Sequence, residues 1–192
     1  MNKKKQPIGN NLQIDDFLKI LKGLESTRDK LLLQTLFETG CSIKEVCTLK
    51  IGEIQLPQSI FQNNLITFHD PQRKSVISST LAQDLHAYIL LRKRNPTQYL
   101  YAQQPHKPFS VKRIEQIVTK ISTEAHITFS PQDIRYLHIR HAATKGLTPD
   151  SIAAHTGLSR QRILQILDGT GIAYLQSYSL FFEDLKIRRN QP

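Results

Sequence analysis

The sequence predicts a mainly α fold with α+β character: helices, a small three-stranded antiparallel sheet, then helices again, with an embedded helix-turn-helix-like element. Three observations point there. Apolar residues recur at helical spacing from Leu12 to Leu49 and again after Ser79. Between these stretches the pattern turns strand-like, at Ile60-Phe61, Leu65-Ile66-Thr67-Phe68 and Ser75-Val76-Ile77-Ser78. Helix-capping residues stand where the helical runs begin, at Ser26, Ser42, Ser110, Ser130 and Thr148.

Residues 1–11, MNKKKQPIGNN, have almost nothing to bury and read as a disordered basic arm, so the folded domain is expected over 12–192. The first helix puts Ile14, Phe17, Leu18 and Leu21 on one face. The second starts at Ser26, with Asp29 three residues on, and runs through Leu31, Leu32, Leu36 and Phe37 to Gly40. Ser42 and Glu45 form a capping-box pair for a short third helix with Val46 and Leu49 inward. In the sheet, Asn63-Asn64 and Asp70-Pro71 mark the turns, and Arg73 and Lys74 lie at one hairpin. Everything after Ser79 is expected to be helical. Leu81 to Arg94 turns Leu85, Tyr88, Ile89 and Leu91 inward, and the helix opened by Ser110 carries Ile114, Ile117 and Ile121. Ser130-Pro131 and Thr148-Pro149 pair a cap with proline at the first helical position. Ile172 to Ile187 forms a last aromatic and aliphatic helix.

Lys and Arg number 26 against 16 Asp and Glu, a net charge of +10 that favours a polyanionic partner. Cys41 and Cys47 are too few for a zinc site or a disulfide framework, and read as reduced, buried thiols. The N-terminus lacks an apolar signal region, and no apolar run approaches the roughly 20 residues of a membrane span. The expected location is the cytoplasm, or the nucleus in a host that has one. There is no glycine-rich phosphate loop and no metal-ligand cluster, so no cofactor or metal is expected.

The sharpest local motif is Ile152-Ala153-Ala154-His155-Thr156-Gly157-Leu158-Ser159-Arg160-Gln161-Arg162-Ile163. Ala153 is small where two helices cross, Gly157 suits the turn, Ser159 caps, and Ile163, Ile166 and Leu167 anchor the second helix. Such a helix lays its N-terminal side chains, here Ser159, Arg160, Gln161 and Arg162, into a major groove. Arginine can pair with guanine and glutamine with adenine through two hydrogen bonds each. A plain helical hairpin is the competing account. Double-stranded DNA is therefore the expected partner, with Lys112, Arg113, Arg135, Arg140, Lys145, Arg73 and Lys74 as further contacts, mainly to phosphates.

The whole chain, read in order, resembles the catalytic domain of the tyrosine recombinase (phage integrase) family. The resemblance rests on Arg28-Asp29-Lys30-Leu31-Leu32-Leu33, Phe37-Glu38-Thr39-Gly40, Glu45-Val46-Cys47-Thr48-Leu49, the three strands, and Gln132-Asp133-Ile134-Arg135 followed by Gly146 and Gly157-Leu158 at the family's spacings. It covers about Leu12 to Leu167 and implies that family's fold. The family joins DNA to a tyrosine while two arginines hold the phosphate and histidines and a hairpin lysine handle protons. Only the second arginine has a clear match, Arg135. Ser42 stands at the first arginine's position, Gln132 and Leu158 at those of two histidines, and Leu167 at that of the tyrosine.

These replacements lead to the expectation of a degenerate, non-catalytic derivative, not an enzyme: a sequence-specific DNA-binding protein acting as a transcriptional repressor or regulator, such as one serving a mobile element. The alternative is an active, unorthodox recombinase or integrase using Tyr174 or Tyr178. Arg140 lies five residues past Arg135 on the same helix and is expected to project elsewhere. A third reading is an interaction module without DNA. The resemblance also implies a route to a homo-oligomer, through a C-terminal helix carrying Phe181 and Phe182.

Overall fold

The computed structural model of the chain describes residues 12–55, 63–93, 95–104 and 106–168. The basic arm, Ile60-Phe61 and the expected C-terminal helix with Tyr174, Tyr178, Phe181 and Phe182 lie outside the described residues.

Three helices open the fold: α1 (Ile14–Gly23), α2 (Thr27–Thr39) and α3 (Ile43–Thr48). The Ser26 side chain accepts from Asp29 N, and at α3 both halves of the Ser42–Glu45 capping box form. These side chains satisfy backbone donors that a helix start otherwise leaves unpaired. On α1 the buried residues are Phe17, Ile20 and Leu21, whereas Leu18 is 54% exposed. The inner face is thus rotated from the expected one, with Phe17 packed against Phe37 of α2, ring centroids 4.8 Å apart and planes tilted by 39°.

A short 3-10 turn at Ile51–Glu53 leads into the sheet, formed by β1 (Ile54–Gln55), β2 (Asn64–His69) and β3 (Gln72–Ile77) in the order β1-β2-β3, all antiparallel. Ile66 faces Ser75 and Phe68 faces Arg73, so Ile66, Phe68, Arg73, Ser75 and Ile77 turn inward. β1, which pairs with β2, was not expected; two residues are too short to produce a periodic signal. Asn64, expected in a turn, belongs to β2.

α4 (Ser79–Leu91) follows, capped by Ser78. Leu85 and Tyr88 are buried as expected, but Leu91 is 85% exposed at the helix end. The chain is not purely helical from there: β4 (Ala102–Gln104) and β5 (Lys107–Pro108) form a small hairpin. Then come α5 (Val111–Glu124), α6 (Pro131–Thr144), α7 (Pro149–Thr156) and α8 (Arg160–Leu167). Each begins on the expected cap, Ser110, Ser130, Thr148 or Ser159, whose side chain accepts a backbone N–H of the first turn.

The core has two parts. The larger gathers α1 to α5, the sheet and one face of α6, with Leu31, Leu32, Leu36, Ile66, Leu85, Tyr101, Ile114 and Ile134 all but fully buried. The smaller packs the other face of α6 (Tyr136, Ile139, Ala142, Ala143) against Ile152 of α7 and Ile163, Ile166 and Leu167 of α8. α6 therefore belongs to both cores, and the α7–α8 pair hangs on it. Cys41 and Cys47 are buried free thiols, and burial pushes Cys41 up to about 12.

Candidate nucleic-acid interface

α7 ends where Gly157 adopts φ 73° and its N–H bonds to the Ala153 carbonyl. The backbone approaches β3 closely here: a Cβ on Gly157 would lie 2.9 Å from Pro71 Cγ and 3.1 Å from Arg73 Nε. Glycine is needed for both conformation and space. The Arg73 side chain runs inward beneath this turn. Its Nε donates to the His155 carbonyl at 3.0 Å, one terminal nitrogen pairs with the Glu45 carboxylate, and the guanidinium lies 4.0 Å from the Phe68 ring centroid. Ser75 Oγ donates to the same carbonyl at 2.7 Å. The other Glu45 oxygen accepts the Ser42 N–H. One buried carboxylate thus joins the start of α3, the β2–β3 hairpin and the α7 terminus. Arg73, expected among the DNA contacts, is turned into the protein; Lys74, its neighbour on the strand, is exposed.

Beside this junction, α3, α6 and α8 enclose a cavity of about 360 Å³. Its walls include Ser42, Lys44, Gln132, Arg135, Tyr136 and Arg162, with Leu158 at the helix-turn-helix turn. Arg135 donates through Nη2 to the Thr156 carbonyl at 2.7 Å. Its buried Nε has no hydrogen-bond partner among the described residues. Burial lowers its pKa, partly offset by Glu45. A desolvated guanidinium with an uncommitted N–H gains strongly from an anion in the cavity.

Arg162 belongs to the same wall. Its Nη2 donates to Tyr136 Oη at 2.8 Å and its Nη1 to Gln165 Oε1 at 3.1 Å, and it sits 5.9 Å from the Tyr136 ring centroid. Gln132 Nε2 donates to the same Tyr136 oxygen. The other residues of the expected reading helix differ. Ser159 is the cap of α8, Gln161 is exposed, and Arg160 pairs with Asp150 of α7 at 3.1 Å on the surface. The remaining expected contacts are dispersed. Lys112 and Arg113 are exposed on the first turn of α5, Lys145 is exposed at the end of α6, and Arg140 points away from the cavity, its Nη2 donating to the Leu12 carbonyl at 3.4 Å.

The sequence reading missed two contributors. Tyr136 was passed over although it follows Arg135 directly, and Lys44 gave no signal beyond its charge. A histidine cluster was also missed. His138 of α6 stacks on His155 of α7, centroids 5.1 Å apart and planes 13° from parallel, and His155 Nε2 donates to the Glu38 carbonyl at 2.9 Å. Among the described residues no group of His, Cys, Asp and Glu could hold a metal ion, and no helix is long and apolar enough to cross a membrane.

Helices around a three-stranded antiparallel sheet, with Arg135 and the α7–α8 pair placed as above, define the tyrosine recombinase catalytic-domain fold. The crystal structure of XerA recombinase superposes with a TM-score of 0.76 at 20% identity, over 94% of this chain and 66% of that one. The chain belongs to the phage integrase family, whose model matches residues 10–166.

Among similar proteins, tyrosine recombinase XerA of Pyrococcus horikoshii is 25% identical over 161 residues, covering 80% of this chain and 55% of that protein. A tyrosine recombinase of Pseudothermotoga lettingae is 24% identical over 173 residues, 81% of this chain and 58% of that protein. The chain therefore spans a little over half the length of these relatives. XerH site-specific recombinase bound to its difH substrate matches with a TM-score of 0.69 at 16% identity, over 81% of this chain and 49% of that one.

The expectation of a protein that is not an enzyme is corrected by these findings. The relatives matched along this domain are named tyrosine recombinases, which are enzymes. Reading replacements position by position does not establish loss of activity, because a neighbouring element can supply the same chemical group. Here the cavity beside Ser42 still carries two guanidinium groups.

Proposed function

We propose that the chain binds duplex DNA sequence-specifically and breaks and rejoins a DNA strand through a tyrosine. The observation that carries this reading is Arg135: mostly buried, fixed to the Thr156 carbonyl, lining the cavity beside Ser42, Lys44 and Arg162, and carrying a buried Nε without a partner among the described residues. The α7–α8 pair is held against that cavity through Arg73 and Glu45. The exposed N-terminal end of α8, with Arg160 and Gln161, then lies along the groove next to the bound phosphate.

The candidate nucleophiles are Tyr174 and Tyr178, which follow α8 in the sequence. In the step, a phenolic oxygen attacks phosphorus and forms the phosphotyrosine bond. The bond from phosphorus to the departing sugar oxygen breaks, and the phenolic proton ends on that oxygen. No oxidant or cofactor is required, and rejoining is the reverse. The guanidinium groups offset the charge that gathers on the non-bridging oxygens.

The test uses the full chain and duplexes selected from a random pool, made with a nick that lets the cleaved fragment escape. A species that survives denaturation, and is lost in Tyr174→Phe or Tyr178→Phe, is the expected result. A native-gel shift that leaves no such species in the wild type would reject strand breakage.

A further inference from the structure

Given the reading of the cavity as a phosphate site, we infer that Arg162 of α8 supplies the second guanidinium of a two-arginine clamp on one DNA phosphate, alongside Arg135. Its sequence position instead suggests a reader of base edges. Three observations carry the assignment. Arg162 lines the cavity that Arg135, Ser42 and Lys44 also line. Its side chain is oriented from two sides, by Tyr136 Oη from α6 and by Gln165 Oε1 one turn further along α8. These bonds use two of the five N–H groups of a guanidinium and leave Nε and one hydrogen on each terminal nitrogen for a ligand.

The chemistry fits a phosphodiester. Its two non-bridging oxygens accept from a planar fork better than from an ammonium, and two forks from different helices fix its orientation as well as its charge. Ser42, on the cavity wall, has no charge to offer an anion. Without Arg162, Arg135 would face the phosphate with only the flexible Lys44, which is exposed. Tyr136 is a positioning residue in this scheme. It is buried, and its ring and hydroxyl hold the arginine over the cavity while touching no phosphate themselves.

The experiment is a phosphate-neutralisation scan. The full chain is titrated against its selected duplex, with each backbone phosphate in turn replaced by a methylphosphonate. One position is expected to weaken the wild type roughly tenfold or more, as losing a charge-assisted contact should. Arg135→Ala and Arg162→Ala should each have become largely insensitive to that same position, and Arg162→Lys should recover part of the sensitivity. Tyr136→Phe keeps the packing and removes the hydroxyl, so it reports on the clamp even if Arg162→Ala folds poorly; it should blunt the response at that position and leave the others unchanged.

If Arg162→Ala keeps full sensitivity where Arg135→Ala has lost it, the clamp is rejected and the phosphate reading of Arg135 stands. If Arg162→Ala binds random duplex normally but no longer prefers the selected one, the arginine reads a base and the inference fails. A wild type that binds no duplex at low salt would remove the proposed function itself.

Discussion

Arg73 on β3 and His155 on α7 are 82 positions apart in sequence, yet the guanidinium Nε of the first lies 3.0 Å from the carbonyl oxygen of the second. That contact, together with the buried Glu45 pairing, seats the helix-turn-helix unit on the sheet. Glu45→Gln should destabilise the protein by about 3–5 kcal/mol, because it leaves the Arg73 charge buried without a counter-charge. Adding Arg73→Met should recover much of the loss. Urea unfolding of the single and double variants checks both statements; equal losses in the two would reject the account.

The histidine cluster makes stability depend on pH. Burial, then the neighbouring His155, holds the His138 pKa down to about 3, and burial also lowers that of His155. Folded-state values below the ordinary histidine value mean that the unfolded chain binds more protons over the interval between them. The contribution is complete above about pH 6.5 and is lost as pH falls toward 3. Glu38 acts in the opposite sense, since burial raises its pKa. Thermal melts from pH 7.5 downward should show falling stability, with a shallower slope in His138→Gln. An unchanged slope in that variant would place the pH dependence elsewhere.

Gly157→Ala should cost more than Gly146→Ala. Both glycines have positive φ, 73° and 84°, so both substitutions carry a backbone strain of about 1–2 kcal/mol. Only at Gly157 would the new methyl press on Pro71 and Arg73; at Gly146 no heavy atom lies within 4 Å. Denaturant midpoints of the two variants separate strain from crowding, and equal midpoints would contradict the close approach.

Arg160→Ala should leave the fold intact, since its pairing with Asp150 is exposed and worth about 0–1 kcal/mol. If Arg160 reads a base, the variant loses about 1–3 kcal/mol on the selected duplex and far less on random duplex. Parallel titrations decide it: equal losses on the two would assign Arg160 to phosphate contact.

What could be read in the sequence was what a few neighbouring residues decide. The caps at Ser26, Ser42, Ser110, Ser130, Thr148 and Ser159 are local hydrogen bonds, and each appears in the structure. β1 was not legible, because its two residues become a strand only by pairing with Ile66 and Leu65. Leu91 was placed inward by its spacing, but the helix ends there and the side chain is exposed among the described residues. In the candidate site, Arg135 could be found by motif spacing. The orientation of Arg162 could not, since it depends on Tyr136, 26 positions earlier and on another helix. Arg73 misled for the same reason: a hairpin cation looks exposed until its carboxylate partner arrives from α3.

Because α6 contributes one row of side chains to each core, the described residues form two packed clusters joined by a shared helix. Among the described residues the lesser core has eight buried apolar side chains, four of them on α6 itself, and α7 is tied to β3 besides through the His155 carbonyl. Because the lesser core is small beside the larger one, amide protons of α7 and α8 are expected to exchange faster than those of α2, through partial opening; equal exchange rates in a hydrogen-exchange measurement would show a single cooperative unit.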